Sequence, residues 1–162
     1  MATESKLDKN KISKENLKIH EVHKPEEMPD WITVDELARF LHESLKPYED
    51  TVEDIKRAID YAFSDAEGKG GFILIGEIEK QPVGALVMLH TDMGGYIPPN
   101  ILLFIAVDPV ARGKGIGGEI VKYSFDKAEG DVKLHVEYDN PAKKLYERLG
   151  MTTKYAEMRY TK

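Results

Sequence analysis

The residues Ile101-Leu102-Leu103-Phe104-Ile105-Ala106-Val107 are all apolar, and a run of this length without polar alternation reads as a strand covered on both faces. It is followed by the glycine-rich turn Arg112-Gly113-Lys114-Gly115-Ile116-Gly117 and then by apolar residues at helical spacing, Ile116, Ile120 and Val121, up to about Lys127. A second strand is expected at Val132 to Tyr138. A strand that leaves through a glycine turn into a helix and returns as a strand is a crossover, which makes the two strands parallel neighbours in one sheet.

The remaining chain supplies the rest of a layered α/β domain. Leu17 to Val22 alternates as a first strand. Thr33-Val34-Asp35-Glu36 has the form of a capping box, in which Thr33 and Glu36 satisfy free helix amides reciprocally. The helix that follows carries Leu37, Phe40, Leu41 and Leu45 on one face and ends at Pro47, which has no amide hydrogen to donate. Thr51 caps a second helix whose apolar face is Val52, Ile55, Ile59 and Phe63. Phe72 to Ile78 and Val83 to Leu89 read as a hairpin joined by Glu79-Lys80-Gln81-Pro82. Asn140 is placed to cap a last helix with Pro141 in its first turn, and Gly150 stops it. Thr152 to Tyr160 is expected as a final strand. The architecture is therefore α/β (mixed α+β): a central mixed, mostly antiparallel sheet with helices on both faces.

With 162 residues the chain has the length of one domain. The charged, apolar-poor start reads as a flexible tail over residues 1–15, followed by a single domain over 16–162. A formal net charge of -6 argues against a general nucleic-acid binder, which neutralises phosphates with clustered Lys and Arg. Without cysteine there is no disulfide framework, thiolate metal site or acyl-cysteine intermediate. His20, His23, His42, His90 and His135 have no metal-ligand spacing, so no metal is expected. No apolar run approaches the length of a membrane span and the start lacks an apolar leader core, so the expectation is a cytoplasmic protein.

Chemistry concentrates at the glycine turn. Successive main-chain amides at Gly113, Lys114, Gly115, Ile116 and Gly117, at the positive end of a helix dipole, are suited to an anion. Arg112 adds a bidentate donor for phosphate oxygens and Lys114 a more exposed charge. A plain strand-to-helix turn with solvated basic residues fits the same residues. Gly113, Gly115 and Gly118 also satisfy a dinucleotide G-x-G-x-x-G fingerprint, with Glu137 near the end of the next strand. Against that, Asp108-Pro109-Val110-Ala111-Arg112 separates strand from glycine, and only one short helix and one strand follow Glu137. A P-loop fails because Gly115, not Ser or Thr, follows Lys114.

Taken together, Ile105-Ala106-Val107, Arg112-x-x-Gly115-x-Gly117, Asn140 with Tyr146 six residues on, and Leu149-Gly150-Met151 resemble the GNAT superfamily of acyl-CoA N-acyltransferases, over about Leu17 to Tyr160. The resemblance implies that the diphosphate of acetyl-CoA or coenzyme A lies on amides from Arg112 to Gly117. It also implies that main-chain groups of the Ile105-Ala106-Val107 segment, at Ile105 and Val107, pair with the pantetheine arm where the parallel strands splay. An amide there would steady the oxyanion at the acyl carbonyl, with Asn140 holding the arm from the other side. Tyr146 is implied as the general acid that protonates the departing sulfur, a role open to a phenol with a pKa near 10. Read without the resemblance, Tyr146 is a core residue on the face of Ala142, Leu145 and Leu149.

The activity so implied is acetyl transfer to a primary amine, small or peptidic, by direct attack in a ternary complex. The alternative is an acyl-CoA-binding sensor or interaction module without turnover. Ile101 stands where several members of the superfamily carry a carboxylate base, leaving Glu77, Glu79, His90 and Asp92 as weak candidates. Pro47-Tyr48 and the loop from Gly94 to Pro99 are expected at the acceptor entrance, and the state as monomer or homodimer.

Overall fold

The structure, a computed structural model, describes residues 7–162. Five strands lie in the order β1-β2-β3-β4-β5: β1 (Lys18–Val22), β2 (Gly71–Ile78), β3 (Gln81–His90), β4 (Asn100–Val107) and β5 (Val132–Lys133). All neighbours are antiparallel except β4 and β5, which are parallel as the crossover requires. The helices are α1 (Val34–Leu45), α2 (Val52–Phe63), α3 (Ile116–Lys127) and α4 (Ala142–Arg148).

The local signals for helix starts are present as hydrogen bonds. Thr33 and Glu36 form the reciprocal capping box, and the Thr51 hydroxyl accepts from the Asp54 amide. Helices α1 and α2 cover one face of the sheet, where Leu37, Leu41, Ile55 and Ile59 pack on Val22, Ile73, Ile75, Val87 and Phe104. Helix α3 and the Tyr146 side of α4 cover the other, against Leu74, Leu86, Met88 and Leu102. Each such buried aliphatic side chain contributes roughly 1.5–3 kcal/mol. Helix α3 crosses at close range because Gly84 leaves a notch: a Cβ there would lie 2.7 Å from Ile120 Cδ1.

Pairing between β3 and β4 slips by one residue, Val87 opposing Phe104 and Met88 opposing Leu102, so Leu103 is a bulge on β4. A bulge bends its strand and switches the faces beyond it. Accordingly Leu102 belongs to the α3 face, while Phe104 and Ala106 belong to the α1–α2 face. The β4–β5 ladder holds only Asn100↔Val132 and Ile101↔Lys133, after which the two strands part. The Asn100 amide, buried at 1% exposure, fixes the start of β5 by donating to the carbonyls of Glu129 and Asp131 at 2.8 and 3.2 Å.

Four expectations are corrected. The hairpin turn is only Glu79-Lys80, both with positive φ (52° and 57°), and Pro82 lies inside β3; a two-residue turn of that hand matches strand twist. The expected strand Val132 to Tyr138 stops at Lys133, and Thr152 to Tyr160 forms no strand. The cause is shared: beyond Lys133 the chain diverges from β4, and among the described residues neither segment lies along another strand, so alternation without a partner makes no ladder. Finally, residues 7–15 are packed rather than a free tail. Leu7 and Ile12, 8% and 3% exposed, join the core beneath α3, and Lys11 Nζ donates to Glu79 Oε1 at 2.6 Å. The first six residues of the expected tail lie outside the described residues.

Candidate functional site

The parting of β4 from β5 leaves a strand edge without a partner. Asp108 N–H donates to Val83 O at 2.9 Å, so the main-chain groups of Ala106 and Asp108 turn toward β3. Those of Ile105 and Val107, one residue out of phase, turn toward the gap. Of the sequence candidates, Ile105 and Val107 thus present hydrogen-bonding groups to the gap, whereas those of Ala106 serve the ladder.

The gap leads to the glycine turn. Pro109–Ala111 form one 3-10 turn, capped by the Asp108 carboxylate accepting from Val110 N–H. Gly113 and Gly115 then take φ of 78° and 80°, a conformation that costs other residues about 1–2 kcal/mol. Gly115 is the N-cap of α3. Among the described residues no carbonyl or side chain accepts from the N–H groups of Gly113, Lys114, Gly115, Ile116 or Gly117. These unpaired donors at a helix start form an electropositive cradle suited to phosphate oxygens.

Arg112 is placed otherwise than the sequence suggested. Its Nε donates to Val107 O at 3.1 Å and its Nη2 to Ser44 O at 2.7 Å, while its amide donates to Pro109 O at 3.4 Å. The guanidinium fastens the end of β4 to the end of α1, which leaves Lys114 as the charge within the turn that no carbonyl among the described residues engages, although both residues are exposed. The Val107 carbonyl is thereby occupied, and its N–H is the group left to the gap.

Helix α4 lies against the first turn of α3. A Cβ on Gly117 would fall 3.3 Å from Val107 Cγ2 and 3.6 Å from Leu145 Cδ2. The glycine therefore lets β4, α3 and α4 meet at one point, and the next residue after Leu145 is Tyr146. Tyr146 is 8% exposed and packs in the α3-side core. Burial pushes its hydroxyl up to about 12, and the negative charge of Glu137 acts in the same direction. Its proton is therefore retained throughout the neutral range. Among the described residues no group hydrogen bonds to that hydroxyl.

The N-cap of α4 is Pro141, one residue later than expected; Asn140 precedes it, its Oδ1 accepting from Ala142 N–H at 2.9 Å and its Nδ2 donating to Glu137 Oε2 at 3.1 Å. The Glu137–Asn140 contact was not legible as a site feature, because Glu137 stood only as the acid of a dinucleotide fingerprint. Tyr48, from the connection between α1 and α2, donates to Asp139 O at 3.4 Å, so that connection reaches the start of α4.

None of the weak base candidates is at the gap. Glu77 lies on β2, bound to His20 Nε2 at 2.7 Å and to the Lys80 amide. Glu79 pairs with Lys11. His90 and Asp92 line a separate concavity of about 410 Å³ at the opposite end of β3, with Lys69 and Lys127. Another concavity of about 490 Å³ lies on α2 around Arg57 and Tyr61. Among the described residues no cluster of His, Asp or Glu suits a metal ion, and no helix is long and apolar enough to cross a membrane.

Residues 29–151 match the family described as acetyltransferase (GNAT) family, and the chain belongs to that family. Solved structures share the fold. An aminoglycoside N-acetyltransferase, AAC(6')-Iy in complex with CoA, superposes with a TM-score of 0.63 at 16% identity, covering 90% of this chain and 94% of its own. A ribosomal-protein-alanine N-acetyltransferase from Brucella melitensis biovar Abortus 2308 gives 0.62 at 17%, covering 90% and 99%. A possible acetyltransferase from Clostridium difficile 630 gives 0.60 at 21%, covering 90% and 97%. No curated protein sequence matches the chain.

Proposed function

We propose that this chain uses acetyl-CoA as donor and transfers the acetyl group to a primary amine by direct attack, with donor and acceptor bound together. The observation that supports this most is the continuity of the unpaired β4 edge with the free amides of the glycine turn. A ligand with amide groups along an extended arm and a diphosphate at its end fits that sequence of donors and acceptors. The chain's own residues fit the group: the free N–H groups from Gly113 to Gly117 would hold the diphosphate, and Ile105 and Val107 would pair with the arm. Bound acetyl-CoA would supply an acyl group activated as a thioester.

The amine attacks the acyl carbon through its lone pair, a C–N bond forms, and the C–S bond breaks with its electron pair on sulfur. Tyr146 holds a proton on its phenol and donates it to that sulfur, and the phenolate then regains a proton from water. The Val107 N–H, pointing into the gap, is available to the carbonyl oxygen as negative charge builds on it. The ammonium proton of the acceptor leaves to water, since no candidate carboxylate from the sequence reaches the gap. The absence of cysteine fits a direct path without an acyl-enzyme.

The test mixes acetyl-CoA with small amines, polyamines, amino acids, aminoglycosides and peptides bearing free N-termini or lysines, and follows release of free thiol. Release with at least one amine, accompanied by an acetylated product of the expected mass, is the expected result. Calorimetric binding of coenzyme A with no release for any amine would leave a binding module of this fold instead. No heat with either coenzyme A or acetyl-CoA would end the proposal.

A further inference from the structure

The N-terminal segment passes directly over the glycine turn. A Cβ built on Gly115 would lie 2.8 Å from Lys14 Cδ and 3.4 Å from both Lys14 Cγ and Cε. The aliphatic stem of Lys14 thus occupies the space that the glycine leaves. Its ammonium is one bond of about 1.5 Å beyond Cε, hence within reach of the cradle of free amides. Lys14 is exposed, and among the described residues no carboxylate or carbonyl is paired with its ammonium.

The segment that carries it is fixed at several points. Leu7 and Ile12 are buried in the α3-side core. Lys11 pairs with Glu79, and the Asn16 side chain donates to Lys11 O at 2.8 Å. Lys14–Asn16 form a 3-10 turn whose following amide, on Leu17, donates to Lys14 O at 3.2 Å. The main chain at Lys14 is therefore held in place before any ligand arrives, so little backbone order has to be gained on binding. The positive charge expected from Arg112 is meanwhile directed to Ser44 O and Val107 O.

We propose that Lys14 is a phosphate-binding residue of the donor site, its ammonium closing on the diphosphate of coenzyme A from the N-terminal side of the Gly113 to Gly117 turn. This assignment rests on the donor reading above. It gives the packed N-terminal segment a function that its composition conceals, and it makes residues before β1 part of the ligand site.

Coenzyme A carries a second phosphate, on its ribose, so the experiment uses coenzyme A and dephospho-coenzyme A side by side. Their affinities for wild-type protein, Lys14→Gln and Lys14→Arg are measured by calorimetry at two salt concentrations, with circular dichroism as the folding control. Loss of one charge-assisted contact at an exposed site should weaken binding of both ligands about 5–10-fold in Lys14→Gln. Lys14→Arg should stay within about 2-fold of wild type, and the glutamine variant should show a shallower salt dependence. Equal affinity of wild type and Lys14→Gln would overturn the assignment, as would a loss confined to coenzyme A, which would place Lys14 on the ribose phosphate. Failure of the wild-type protein to bind either ligand would strike the donor reading itself and the assignment with it.

Discussion

Leu145 rests in the notch at Gly117, so that a Cβ on the glycine would fall 3.6 Å from Leu145 Cδ2 and 3.3 Å from Val107 Cγ2. One small residue therefore sets the distance between the anion cradle and the helix that carries Tyr146. Gly117→Ala should push β4 and α4 apart by a few tenths of an ångström. With coenzyme A affinity kept within about 3-fold, kcat should fall about 10-fold, because misplacement of reacting groups costs rate more than binding. Steady-state thiol release resolves the two effects, and an unchanged kcat would contradict the link.

Tyr146→Phe removes the proton donor while keeping the ring in its packing site. For an active amine, kcat should drop about 100-fold or more, with coenzyme A affinity and thermal midpoint close to wild type. Since burial pushes the hydroxyl up to about 12, loss of this proton cannot shape the wild-type profile below about pH 10. A basic limb near neutrality that vanished in Tyr146→Phe would contradict the role.

Gly115→Ala combines a φ of 80° with a 2.8 Å approach to the Lys14 stem. The backbone strain should cost about 1–2 kcal/mol in denaturant unfolding. The Lys14 side chain can move aside, so the larger effect should appear in donor affinity, with a loss of about 10-fold by calorimetry.

Glu77 gives the protein an acid-sensitive joint. Burial pushes its carboxyl up, but the hydrogen bond from His20, the Lys80 amide and the charges of His20 and Lys18 together outweigh this and leave it below the ordinary carboxylate value. A lowered folded value means that the unfolded chain binds the proton more readily, so the stabilisation is present above the ordinary carboxylate pKa and lost as pH falls through the folded one. Glu77→Gln should cost about 1.5–3 kcal/mol at pH 7. The gap between variant and wild type should narrow as pH falls below the ordinary carboxylate value, where first the unfolded chain and then folded Glu77 take up the proton. Urea titrations across that range measure it.

Ile12→Ala tests the packing of the N-terminal segment. Ile12 is 3% exposed in the core beneath α3, so its truncation should cost about 2–4 kcal/mol. A free tail would give no change in unfolding midpoint.

What was legible in the sequence follows the range of the interactions involved. Thr33 with Glu36, Thr51, and the continuously apolar Ile101 to Val107 act within a few residues of themselves, and the corresponding elements formed where their patterns placed them. The positive φ of Gly113 and Gly115 likewise follows from the local demands of a tight turn. Leu7 and Ile12 sit singly in a charged stretch, with no period to mark them, and only contact with α3 and β2 reveals that they are buried. The side chain of Arg112 depends on Ser44, far away in the chain, and no motif spacing encodes that partner. The strands expected at Val132 to Tyr138 and Thr152 to Tyr160 had the right alternation, but a strand is a property of a pair, and among the described residues neither segment, beyond Lys133, runs along another strand.

The Arg112 guanidinium, shared between Ser44 O and Val107 O, has a consequence for how such a chain can diversify. Any reshaping of α1 that reached Ser44 would also release the end of β4 that Arg112 holds. Change is thus accommodated with least collateral damage beyond that anchor, in the short connection from Lys46 to Asp50, apart from Tyr48, which holds Asp139 O.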